Sequence, residues 1–200
     1  MTMKLPKRDD SGFTLVELIV AMGIFTVLLA IFATAVQSFS KSTVRTFQTS
    51  DQATEARTVF DLFDKQVRAA SAISIPAASG GDWYVEYLDD TGALSTCSQW
   101  VVRTTTHLIA TRKWTVGATT APAWRTVATN VTNSTTQPPF ALIASTNIIP
   151  RQRLSVTLRY QQTGGPLTVN TSVFAARNTG VLTSTNTTSG LICNSSTWRS

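Results

Sequence analysis

The residues that could do chemistry are few, and their spacing is uneven. One carboxylate, Glu17, sits inside a run of apolar residues that starts at Phe13 and ends at Val36. Ionisable groups in such a run usually have a partner. If the chain were cut after Gly12, the new α-amine of Phe13 would lie four residues from Glu17, about 6 Å along a helix axis. That amine, in a neighbouring copy, could meet the carboxylate. The other 10 of the 11 acidic residues also lie at or before Asp90, and none follows Thr91. A second half without carboxylates supplies no acid/base pair and no acidic metal cluster. With 1 His (His107) and 2 Cys (Cys97, Cys193), hydrolytic and metal chemistry are poorly provisioned. No G-x-S-x-G, P-loop or Gly-rich nucleotide motif is present. We therefore expect no enzyme, no cofactor and no metal.

Cys97 and Cys193 are candidates for a disulfide if this half is exported to an oxidising compartment. The bridge would close a loop spanning most of the second half. The nine Arg and Lys after Thr91 include Arg103, Arg112, Lys113, Arg125, Arg151, Arg153 and Arg159, with Trp100, Trp114, Trp124 and Tyr160 between them. Three uses fit: binding DNA through phosphates and base stacking, docking on the acidic part of a neighbouring subunit, or solvating a sheet. His107 falls between two expected strands and is expected in a turn. The N-x-S/T triplets, such as Asn130-Val131-Thr132, arise readily in a chain where about one residue in six is Thr.

The elements that must carry these groups follow from patterning. Charged residues make up only 14% of the 200-residue chain and apolar residues 42%. That balance excludes a wholly disordered chain. Leu18–Val36 holds no charge and, at about 1.5 Å per residue, reaches roughly 28 Å, near the thickness of a bilayer core. Lys4, Lys7 and Arg8 precede it and should stay cytoplasmic, which places the C-terminal part outside. The run is too long for a typical signal-peptide core, and the helical pattern continues beyond it.

Gly12 followed by Phe13-Thr14-Leu15-Val16-Glu17-Leu18, behind a short basic leader and ahead of an apolar helix, resembles the class III signal of type IV pilins and pseudopilins. The resemblance implies cleavage between Gly12 and Phe13 by a prepilin peptidase, methylation of the Phe13 amine, and pairing of Glu17 with the amine of an adjacent subunit. It implies residence in the bacterial inner membrane as a single-pass protein, then assembly with other pilins, through an inner-membrane platform, into a pilus or a type II secretion pseudopilus. One departure stands out. Many family members carry a Pro about twenty residues into the mature chain, where the helix melts in the filament; here Thr34 lies near that place, and no Pro occurs between Pro6 and Pro76.

From Gln37 to about Ile73 the chain lacks Gly and Pro. Ala56, Phe60, Phe63, Val67 and Ala70 form a helical stripe, with Asp61–Lys65 and Asp64–Arg68 as i,i+4 pairs. Ser38–Ser50 reads as a weaker helix and a flexible joint, and Pro76–Asp82 as the stop. Arg57–Ile73, with Asp64, Arg68 and Ala69, resembles the run before the first strand in J-type pseudopilins and W-type minor pilins. Beyond it we expect strands at Trp83–Leu88, Gln99–Thr105, Leu108–Thr115, Trp124–Ala128, Arg153–Gln161 and Leu167–Ala175. Gly164-Gly165 should turn the last hairpin, Asn130–Pro139 should be a long loop, and 179–200 a loose tail.

The expected fold is α+β: a long N-terminal helix, transmembrane then amphipathic, packed on an antiparallel β domain. The expected segments are a leader over 1–12, a membrane helix over 13–36, its amphipathic continuation over 37–75, and an exported β-rich domain over 76–200. The expected function is that of a minor pilin or pseudopilin acting in initiation or at a filament tip. The alternative is a tip subunit that captures DNA or a surface.

Overall fold

The structure is a computed structural model that describes residues 14–146, 148–179 and 192–193. One helix, α1, runs over Leu15–Ala69, and nine strands follow it. The chain divides into two compact units, Met1–Thr46 and Phe47–Ser200.

In the first unit, α1 is apolar on every side from Leu18 to Val36. Ile19, Met22, Phe25, Leu28 and Phe32 are all exposed. It is the one described helix long and apolar enough to cross a membrane. Its hydroxyls turn inward on the backbone: Thr26 donates to the Gly23 carbonyl at 2.8 Å and Thr34 to the Ile31 carbonyl at 2.7 Å. Such bonds remove the cost of a bare hydroxyl in hydrocarbon. Ser38–Ser50 is helical throughout, although the boundary between the units falls within it. Thr43 and Thr46 bond the carbonyls of Phe39 and Ser42 in the same manner.

In the second unit, α1 buries a stripe. Gln52, Ala56, Val59, Phe63 and Val67 are buried, as is Ala70 just past its end. Of the two expected i,i+4 pairs, Asp64–Arg68 closes at 2.6 Å; among the described residues Asp61 and Lys65 form no ion pair. The helix stops at Ala69, short of the expected end. Ala72–Ile73 is already strand β1, and Ala77–Ser79 is β2. Pro76 disfavours helix for Ile75 before it, and Gly80 and Gly81, at φ 59° and 89°, fold β2 back on the next strand. What reads as a breaker is therefore a small hairpin.

Strands β3 (Asp82–Asp89), β4 (Thr96–Arg103), β5 (Leu108–Thr115) and β6 (Arg125–Thr129) continue an antiparallel sheet of order β1-β3-β4-β5-β6, with β2 also on β3. A second sheet has the order β7 (Phe140–Ile143), β8 (Arg153–Tyr160), β9 (Thr168–Ala175). The six strands read from sequence are present within a few residues. β7 was not expected: its four residues follow Pro138-Pro139 and do not alternate. The expected Asn130–Pro139 loop is held near its start by a Val131–Tyr160 bridge and closes a turn on itself through a Ser134–Gln137 bridge.

One core joins helix and sheets. Phe63 stands at its centre. Its ring stacks on Trp100 of β4 at 4.1 Å and contacts Tyr87 of β3, Phe140 of β7 and Phe174 of β9 at 5.9–6.3 Å. The alternation Leu154, Val156, Leu158, Tyr160 places four fully buried side chains of β8 beneath the same helix.

Candidate functional site

Gly12 and Phe13 lie outside the described residues. The described chain begins at Thr14, which with Glu17 closes a ring at the start of α1. The Thr14 N–H donates to Glu17 Oε2 at 3.0 Å, and the Thr14 hydroxyl donates to the same oxygen at 3.0 Å. In return the Glu17 N–H meets Thr14 Oγ1 at 3.3 Å. This is a capping box, in which side chains at the N-cap and third helical position satisfy each other's otherwise unpaired N–H groups. The T-x-x-E spacing ahead of an apolar run is the sequence signal for it. The carboxylate also sits in the first turn of α1, where the helix dipole favours a negative charge.

The seven basic residues do not form one surface. Arg103 pairs with Asp82 at 3.4 Å. Arg112 is buried on the face of the first sheet turned away from α1: its Nε donates to Gln99 Oε1 at 2.7 Å, and its guanidinium lies 4.0 Å from the Trp124 ring. Burial lowers its pKa from the usual value, opposed by Tyr84 and Glu86. Lys113 follows Arg112 on β5 and so projects from the opposite face, where Arg125 joins it by register with Thr111. Arg153 and Arg159 belong to β8 of the second sheet, and Arg151 to the connection between β7 and β8. The interleaved aromatics are likewise engaged inside: Trp100 donates to Gln66 Oε1 at 2.7 Å, and Trp114 packs with Cys97 and Cys193.

Arg112 belongs to a cross-strand row. Glu86, Gln99 and Arg112 lie in register on β3, β4 and β5. Gln99 Nε2 donates to Glu86 Oε1 at 2.9 Å and its Oε1 accepts from Arg112. The amide thus relays between a buried carboxylate and a buried guanidinium, so each is hydrogen-bonded as a buried charge must be. Glu86 is fully buried. Next to the row, Cys97 on β4 is bonded to Cys193 across 96 residues of sequence. Burial holds the Tyr87 phenol well above its ordinary pKa.

His107 lies in an exposed turn with φ 54°. It lines a polar cleft of about 340 Å³ with Asn130, Thr132, Gln161, Gln162, Thr163 and Gly164. No carboxylate lines that cleft. Among the described residues no group of three His, Cys, Asp or Glu side chains could hold a metal ion.

Residues 7–33 match the family model of the prokaryotic N-terminal methylation motif. That match spans the end of the basic leader from Lys7, Gly12, Phe13, the Thr14–Glu17 cap and most of the exposed apolar helix. It supports a pilin-type precursor processed by a prepilin peptidase and assembled with other pilins. The apolar helix fits a single-pass membrane anchor of such a protein. No curated protein and no solved structure matches the chain.

Proposed function

We propose that this chain is a structural minor pilin or pseudopilin, of the W-type or J-type group, that helps start or cap a type IV filament. The observation that carries it is the methylation motif at 7–33 leading into a single helix that is apolar all round and then striped for a sheet. In this reading the helix stores the subunit in the inner membrane with its C-terminal part outside. Prepilin peptidase cleaves after Gly12 and methylates the Phe13 amine. The assembly platform then moves the helix from lipid into a bundle of neighbouring pilins. Glu17 exchanges its cap with Thr14 for the amine of an adjacent subunit, which sets the register and offsets the cost of leaving the bilayer. The segments 1–12, 13–36, 37–75 and 76–200 act as leader, anchor, joint with packing helix, and exported domain.

The test separates processing from assembly. Glu17→Ala should be cleaved at the normal rate but missing from purified filaments. Normal co-purification of that variant with filaments would remove the pairing role. A gene deletion scored in parallel for pili, transformation and secreted protein assigns the machine.

A tip subunit that captures DNA or a surface is the second reading. Exposed Lys113, Arg125 and Arg151 favour it, while the internal contacts of Arg103 and Arg112 weaken it. Salt-dependent DNA binding by the full chain supports this reading, and no binding at low salt removes its DNA version.

A further inference from the structure

The two sheets have several edges, and all but one are blunted. β1 has 2 residues and β2 has 3. β6 has 5, begins with Arg125, and pairs with β5 through a register shift at Ile109/Ala110. β7 has 4 and follows Pro138-Pro139. Short length, charge, irregularity and proline are the usual guards against unwanted strand pairing. β9 has none of them. It is 8 residues long, Thr-Val-Asn-Thr-Ser-Val-Phe-Ala, without charge, Gly or Pro, and it ends the second sheet.

The register tells which groups face outward. Ala176 N–H donates to the Gln152 carbonyl at 3.0 Å, continuing the β8–β9 register. In an antiparallel ladder the bonded pairs alternate, so Phe174, Ser172, Asn170 and Thr168 bond β8. From the other side, Thr157 N–H donates to the Pro139 carbonyl, as that alternation requires. The N–H and C=O groups of Val169, Thr171, Val173 and Ala175 therefore point away from the sheet. Among the described residues nothing pairs with them. The side chains of these residues lie on the outer face, and Val169 and Val173 are 46% and 52% exposed. Arg159 stands opposite Val169 and Arg153 opposite Ala175. The two cations thus bracket the edge about 20 Å apart. Neither makes an ion pair among the described residues, Arg153 Nε is buried with no hydrogen-bond partner, and no acid follows Thr91.

We propose that β9 receives an added strand: an extended segment of a partner protein, uncharged and β-branched at alternate positions, with carboxylates toward its ends. Main-chain bonds to the four outward residues would hold it, and Arg153 and Arg159 would favour its acidic ends. A second copy of β9 is the poorer occupant, because it brings no carboxylate to either arginine. The inference goes beyond the pilin-type reading, which stands if this edge proves idle.

The probe is a fluorescent peptide, Glu-Thr-Val-Thr-Val-Thr-Val-Glu, as long as β9, titrated by anisotropy against the full chain in lipid nanodiscs. Saturable binding is expected. Thr171→Pro removes an outward N–H and spares the β8 ladder, so it should weaken binding about tenfold or more. A peptide with Lys at both ends should also bind about tenfold more weakly. Should Thr171→Pro unfold the domain, N-methylation of the peptide gives the same test on intact protein. Methylating one alternate set of its amides should abolish binding, and methylating the other should not. The proposal is overturned by non-saturable binding, by equal affinity for the Glu-ended and Lys-ended peptides, or by indifference to both methylation patterns. A concentration-dependent dimer abolished by Thr171→Pro also overturns it and assigns the edge to a second copy.

Discussion

The two parts of α1 share one secondary structure and have opposite surroundings. Up to Thr46 its large apolar side chains are exposed on every side; in the second unit a stripe from Gln52 to Val67 is buried. Helix propensity does not separate them, since both are helical. The distribution of apolar residues around the axis does. A uniform coat suits lipid and a stripe suits a sheet. The comparison also shows where stability resides: the first part offers surface to a solvent or to neighbours, and the second holds a core together.

Substituting the same residue type in both parts tests that contrast most strongly. Phe63→Ala should cost about 3–5 kcal/mol in denaturant unfolding of the full chain in detergent, whereas Phe25→Ala should cost under about 0.5 kcal/mol. Equal losses would break the comparison. The next effect asks how far the packed part depends on distant chain. Cys193→Ser should lower stability by about 2–5 kcal/mol, seen as a lower melting temperature without reductant, and leave membrane association unchanged. A smaller effect belongs to the buried polar row. Gln99→Met removes the amide between Glu86 and Arg112 and should cost about 1–3 kcal/mol, read from the same unfolding curves. The smallest sits on the solvated side of the stripe. Arg68→Ala breaks a half-exposed pair with Asp64 and should cost only about 0.3–0.5 kcal/mol; a loss above about 1 kcal/mol would mean that this side of the helix also carries packing.

Legibility followed the same division. The stripe Ala56, Phe60, Phe63, Val67, Ala70 was readable because helical period and burial coincide. β8 was readable because strand period and burial coincide. The α+β class followed from those two. β1, β2 and β7 were not readable, because two to four residues are too few to show a period and their pairing is decided by partners far along the chain. The burial of Glu86 and Arg112 was not legible for a related reason. A charged residue in a sequence looks solvated until the strands that flank it are aligned, and only the register of β3, β4 and β5 brings Gln99 between the two. The Thr14–Glu17 cap needs no tertiary information, because the T-x-x-E spacing before an apolar run carries it alone.

The link between Cys97 and Cys193 has a consequence in time. The first sulfur emerges with β4, and its partner comes 96 residues later, after every remaining strand of both sheets. Closure on this partner therefore waits until all nine described strands have been made. The bond thus marks completion of both sheets: a chain clipped before Cys193 should carry an unmatched thiol on β4, read by thiol labelling after denaturation.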